Sequence, residues 1–261
     1  MKNKLLLPLA LVQGLWVLRR TPRLPVPKGR AGRHGNGSAR SLRVVGVGDS
    51  IMAGTGVREQ CHSLTATFAR LLHESVGRDV EWRVHGANGA TSFQLLHELA
   101  PQAAAADVYL ISVGVNDATR GIAPDRFAGQ LRGVFDLLRR KAPESVVFFA
   151  GLPPLQCFPA LPWPLGAMLA HRATQLQAVA AAVTSRYQRA LCFNFPTTMP
   201  AEQFASDGFH PAEVACQQWA EGLLALWPEH RVLRAETPHP RHLVGVRSSR
   251  GEAPDSHRRS A

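Results

Sequence analysis

The sequence predicts an α/β domain in which a five-stranded parallel sheet carries helices on both faces, and three observations carry that prediction. Five short apolar runs recur along the chain, each bounded by glycine, proline or polar residues, as buried strands require. A stretch of helical period follows each run. The length of 261 residues and the 45% apolar content suffice for one domain with its own hydrophobic core.

The first run, Leu42-Arg43-Val44-Val45-Gly46-Val47, delivers the chain to Gly48-Asp49-Ser50. Further strands are expected at residues 80–85, 107–113, 145–150 and 190–195. Helical periodicity marks the neighbourhoods of residues 62–75, 92–103, 124–141, 167–188 and 212–227. Strand and helix thus alternate five times, and sheets built this way hold their sites at the carboxyl ends of the strands. Ser50, Gly89 and Asn116 each lie just beyond a predicted strand, so the alternation alone gathers them at one edge.

The domain of residues 42–228 is flanked by segments of different character. Within residues 1–20 an apolar run from Leu5 to Leu18, broken at Gln13 and Gly14, closes on Arg19-Arg20. It is shorter than the roughly 20 residues of a membrane span and within the roughly 7–15 of a signal-peptide core. No small-residue cleavage site follows, and Arg23, Lys28, Arg30, Arg33 and Arg40 oppose translocation of the chain behind it. The segment is expected to be an uncleaved hydrophobic anchor holding the protein at the cytoplasmic face of a membrane. Export after signal cleavage is the second reading, and a buried amphipathic helix the third. Residues 21–41, rich in Pro, Gly, Arg and Ser, read as a flexible basic linker, and residues 229–261 as a disordered tail.

The formal charge of +11 is concentrated at the amino end: residues 1–43 carry ten Lys/Arg and no acid, whereas residues 44–228 balance at −2. A basic extension on a near-neutral domain suits an anionic membrane surface. No nucleic-acid-binding motif accompanies it, so no nucleic-acid partner is expected. Cys61, Cys157, Cys192 and Cys216 show no paired spacing and read as buried free thiols.

Four short blocks carry chemistry. Gly48-Asp49-Ser50-Ile51 is a tight turn after a buried strand, which can hold a serine hydroxyl at the sheet edge beside backbone N–H groups. A serine needs a neighbouring base, usually histidine oriented by a carboxylate. Asp207-Gly208-Phe209-His210-Pro211 offers both in one loop, with Pro211 expected to start the following helix. Gly114-Val115-Asn116-Asp117 puts an amide donor after the third strand. In Asn88-Gly89-Ala90, the glycine allows a backbone N–H to approach a substrate closely.

In order and spacing these blocks resemble those of the SGNH hydrolases, the GDSL-like esterases and lipases, over residues 43–227. The resemblance implies a flavodoxin-like three-layer α/β/α fold and an esterase working through an acyl-enzyme. It makes Ser50 the nucleophile, His210 the base and Asp207 its orienter. Ser50, Gly89 and Asn116 become the oxyanion donors, and Gly48, Asp49, Gly114 and Asp117 the structural members of the motifs. Ile51 stands where the family's namesake motif has leucine, a volume-conserving change. The family includes lipases, lysophospholipases, thioesterases and carbohydrate O-acetylesterases, so it fixes mechanism better than substrate.

Other readings are weaker. Gly46-x-Gly48 lacks the third glycine of a dinucleotide fingerprint, because Ile51 stands there. The Gly-x-Ser-x-Gly elbow is missing too. Asp49 and Asp117 are expected to hold loop backbone rather than to act as an acid/base pair. The remaining histidines lack metal-ligand spacing, so neither metal nor cofactor is implied. Residues 152–165, a proline-stiffened apolar loop, either cover the core or wall an acyl-chain groove, the second being preferred. With the amino-terminal segment, this points to lipid-like acyl esters, with an acetylated carbohydrate as the alternative ester. A non-catalytic membrane-tethered binding module is the reading of another class.

Overall fold

The structure, a computed structural model, describes residues 6–37 and 41–227 together with Glu229. The expected tail otherwise lies outside the described residues. Six strands form one sheet: β1 (Ala31–His34), β2 (Leu42–Gly48), β3 (Val80–Gly86), β4 (Val108–Ser112), β5 (Val146–Phe149) and β6 (Ala190–Cys192). Their order is β1-β3-β2-β4-β5-β6. The five from β2 onward are parallel, and β1 pairs antiparallel with β3 at the edge.

Strand β1 corrects the expectation of a flexible linker over residues 21–41, and with it the strand count. Its sequence, Ala-Gly-Arg-His, has no apolar pattern, and its order comes from pairing. Ala31 to His34 register against Arg83 to Val80. A Cβ on Gly32 would lie 2.5 Å from the Trp82 ring, so a bare backbone is what fits there.

Alternating strand residues feed two cores. Val45, Val47, Tyr109, Ile111, Val147 and Phe149 pack against α6 (Pro124–Lys141) and α7 (Leu165–Thr184). From the opposite face Val44, Trp82, Leu110 and Phe148 meet α3 (Leu64–Val76) and α8 (Glu213–Ala225). The result is a three-layer α/β/α arrangement. Where one helix is expected over residues 92–103, the structure has an irregular succession: an α-turn, α4 (Ser92–Gln94), a π-turn over Leu95–Leu99, and a 3₁₀ turn over Ala100–Gln102. Pro101, lacking an N–H to continue an α ladder, sits within the 3₁₀ turn.

The amino-terminal run forms α1 (Leu7–Arg20), packed beside α7 with Ala10 and Val17 buried. Gln13, which interrupts the apolar run, provides the attachment. Its Nε2 donates to the Trp163 carbonyl at 2.8 Å, and its Oε1 accepts from the Leu165 N–H at 3.2 Å. The helix thus turns one face to the domain, while its outer face stays exposed. No helix among the described residues is long and apolar enough to cross a membrane. All four cysteines are free thiols, but Cys61 is exposed and only Cys216 is buried; Cys61 sits in a short surface 3₁₀ turn rather than in the core.

Candidate active site

In the order β3-β2-β4 the chain reverses direction across the sheet at β2/β4, and crevices at such a reversal are where doubly wound sheets bind ligands. Ser50 follows β2 there as the first residue of α2 (Ser50–Ala53), so its N–H is among those a helix start leaves unpaired. Asp49 caps this turn, its Oδ1 accepting from the Ile51 N–H at 3.2 Å and from Ser112 Oγ at 3.1 Å. Gly48 is needed because a Cβ there would lie 2.0 Å from the Ser112 carbonyl oxygen. Burial pushes the Asp49 carboxyl up to about 7, against the hydrogen bonds it accepts.

Beyond β4, Gly114 takes φ +127° to start α5 (Val115–Thr119), a backbone few other residues adopt. Three side chains of this segment tie it to the loop after β3. Asn116 Nδ2 donates to the Ala90 carbonyl at 3.0 Å, and its second N–H has no partner among the described residues. Asp117 accepts from the Ser92 N–H at 3.0 Å and from Ser92 Oγ. Arg120 Nη2 donates to the Gly89 carbonyl at 3.0 Å. Burial raises the Asp117 carboxyl's pKa, opposed by these Ser92 bonds. Gly89 itself sits at φ +76°, and its N–H has no partner among the described residues. On the other side of the loop, Thr55 Oγ1 donates to Asn88 Oδ1 at 2.7 Å. Arg120, Ser92 and Thr55 were not singled out from the sequence, because their role is to hold backbone from a distance and no motif records that.

The Asp207–His210 loop closes the site. His210 Nδ1 lies 2.6 Å from Asp207 Oδ2, and Asp207 Oδ1 accepts the backbone N–H groups of Phe209 and His210, both at 2.9 Å. The Asp207 side chain is 0% exposed and that of His210 18%. Burial alone would raise the Asp207 pKa, but the bonds from the His210 side chain and from the two N–H groups outweigh it and hold the carboxyl below its ordinary value. Pro211 does not start α8 as expected. It pairs with Phe204 in an isolated bridge, and Ala212 caps the helix.

Ser50, Gly89, Asn116 and His210 line one cleft of about 610 Å³, the range of small-molecule sites. Thr55, Asn88 and Phe209 line it as well, and a further wall is made by Val17, Leu18 and residues 21–24, from a segment whose sequence carries no sign of a place at the site. A second, narrow slot of about 30 Å³ runs from Ser50 and His210 between Phe158, Phe204 and Phe209. The 152–165 loop therefore contributes Pro153 and Phe158 to the slot, while Leu155 and Leu161 cover the core. The Ser50 hydroxyl and His210 Nε2 have no hydrogen-bond partner among the described residues, and such contacts commonly tighten only around substrate. Among the described residues no cluster of three or more His, Cys, Asp or Glu could hold a metal ion.

A doubly wound sheet whose reversal point gathers a serine, a carboxylate-bound histidine and convergent N–H donors has the layout of a hydrolase. The chain belongs to the GDSL-like lipase/acylhydrolase family, whose model matches residues 47–217, and it is an ester-bond hydrolase. No curated protein sequence matches it. Among solved structures, a lipase from a goat rumen metagenome is similar at 17% identity and TM-score 0.58, over 71% of this chain and 97% of that one. The structure named TesA is similar at 22% identity and TM-score 0.56, over 72% and 99%. A family 3 carbohydrate esterase from Clostridium thermocellum is similar at 18% and 0.57, over 75% and 100%. At these identities the likeness establishes the fold, and SGNH hydrolase structures share it.

Proposed function

We propose that the chain hydrolyses carboxylic acyl esters through a covalent acyl-serine. The observation that carries this reading is the 2.6 Å contact between His210 Nδ1 and the buried Asp207 carboxylate, in a cleft also lined by Ser50. With Nδ1–H donated to Asp207, Nε2 of the neutral ring is free to accept a proton. Ser50 Oγ attacks the ester carbonyl as His210 Nε2 takes its proton. The oxyanion is received by the N–H groups of Ser50 and Gly89 and by the Asn116 amide. Collapse expels the alcohol, protonated by His210, and leaves acyl-Ser50. Water, deprotonated by the same nitrogen, then attacks this ester, releases the carboxylic acid and restores Ser50.

Lipid-like acyl chains are the substrate class that the cleft supports best, because Val17, Leu18, Leu24 and Phe209 give it an apolar wall. The 30 Å³ slot favours a second reading, an O-acetylesterase, since only a small acyl group suits that volume. Rates on p-nitrophenyl esters from acetyl to dodecanoyl separate the two. kcat/KM rising with chain length supports the acyl-chain cleft, and a flat series or one peaking at acetyl removes its support.

A further inference from the structure

We propose that α1 is both a wall of the substrate cleft and the seat of the protein on an anionic lipid surface, so that the cleft opens where acyl esters reside. This rests on the ester-hydrolase reading of the cleft and adds to it a partner and a route of entry. The carboxyl end of α1 is the point where the two roles meet. Val17 is buried against the domain, whereas Leu18 is 77% exposed, and both line the cleft that holds Ser50 and His210.

The outer face of α1 is strongly apolar, and none of the described residues covers it. Seven of the twelve exposed large hydrophobic side chains among the described residues lie on this one helix. Concentration of this kind marks an interaction surface, whereas scattered exposed leucines do not. Trp163, 70% exposed, extends the surface, because its carbonyl is bonded to Gln13 of α1. The bonds of Gln13 also fix the orientation of α1: the polar group in the apolar run is turned to the domain, and the leucines are turned outward.

Charge identifies the occupant. Arg19, Arg20 and Arg23 stand at the cleft end of α1, and none has an acidic partner among the described residues. Residues 1–43 contain no acid at all. An apolar strip edged by unpaired cations complements the surface of an anionic bilayer, with side chains in the acyl boundary and guanidinium groups among the phosphates. The Arg20 guanidinium lies 5.5 Å from the Trp16 ring centre, a pairing suited to the headgroup level, where amphipathic rings collect. At 14 residues, α1 spans about 21 Å, short of the roughly 30 Å hydrocarbon core, so it lies along the surface.

The test uses the full chain and unilamellar vesicles of phosphatidylcholine, with or without phosphatidylglycerol. Partitioning is followed by flotation and by hydrolysis of a vesicle-embedded long-chain p-nitrophenyl ester. Wild type is expected to bind the phosphatidylglycerol vesicles. Arg19→Gln/Arg20→Gln should weaken that binding about 30-fold, at roughly 1 kcal/mol per cation. Leu11→Glu/Leu15→Glu, on the outer face and away from the cleft, should abolish it. Both variants should hydrolyse soluble p-nitrophenyl acetate at the wild-type rate while losing the embedded ester in step with binding. Wild type that ignores anionic vesicles, or binds both compositions equally, overturns the proposal. So does a leucine variant that binds vesicles normally while shifting the protein from dimer to monomer, which would make the face a contact between copies. Vesicle binding that follows these expectations without hydrolysis of either ester would leave the lipid seat standing and fail the esterase reading instead.

Discussion

Replacing Asp207 by asparagine isolates the orientation of His210 with almost no change in volume. Asp207 Oδ1 holds the N–H groups of Phe209 and His210 at 2.9 Å, so the asparagine carbonyl oxygen is constrained to that side. Its NH₂ then replaces Oδ2, the atom 2.6 Å from His210 Nδ1. Two donors would face each other there unless the ring moved its proton to Nε2. In that tautomer Nε2 cannot accept the proton of Ser50, although every heavy atom is in place. A wrong-tautomer histidine of this kind lowers kcat by about 10⁴ in a serine hydrolase, equivalent to about 5 kcal/mol of transition-state stabilisation. The backbone bonds to Oδ1 survive, so thermal unfolding at pH 7 should still show a folded, cooperative domain. The assay is kcat on a short p-nitrophenyl ester for wild type and Asp207→Asn, with KM measured alongside. A variant that keeps its fold and retains kcat within tenfold of wild type would refute the assignment of Asp207 as the group that sets the tautomer.

Two further perturbations test neighbouring parts of the site. Asn116→Ala removes the amide donor beside the cleft and should lower kcat by about 10²–10³ with little change in KM; an unchanged kcat would remove Asn116 from the oxyanion donors. Asp49 is fully buried, and its carboxyl is pushed from 3.8 up to about 7 by burial. Because the folded value lies above the unfolded one, the associated stability is fully present below about pH 4 and is lost as pH rises through 7. Asp49→Asn lacks this dependence, so in urea unfolding between pH 4 and 8 the variant should gain on wild type by about 4 kcal/mol. Parallel stability curves would show that Asp49 is not protonated in the folded protein at the acid end.

The central parallel strands were legible because they are buried on both faces and therefore apolar almost throughout, as in Val108-Tyr109-Leu110-Ile111-Ser112, whereas β3 alternates buried with more exposed residues and β6 is only partly buried. The site residues were legible for a related reason. Residues at the ends of consecutive strands must share one edge, so Ser50, Gly89 and Asn116 converge whatever the details of the loops. What escaped the sequence depends on partners far along the chain. β1 is ordered by its register on β3, and nothing in Ala31-Gly32-Arg33-His34 announces a strand. The place of α1 depends on Gln13 meeting the backbone of Trp163 and Leu165, some 150 residues away. A polar residue within an apolar run was a signal that this helix has a protein-facing side, but it could not say which wall that side would complete. The proline-rich loop illustrates the reverse case: its composition suggested a groove, yet Leu155 and Leu161 turn into the core, and only Pro153 and Phe158 reach the slot.

The central claim is that Ser50 is the nucleophile. Covalent labelling of the full-length protein by a fluorophosphonate, mapped by peptide mass, tests it most directly. The account predicts one adduct per chain on Ser50, suppressed by an ester substrate, slow in Asp207→Asn and lost in Ser50→Ala together with esterase activity. A folded Ser50→Ala protein that still hydrolyses esters, or an activity-abolishing adduct on another residue, would contradict it.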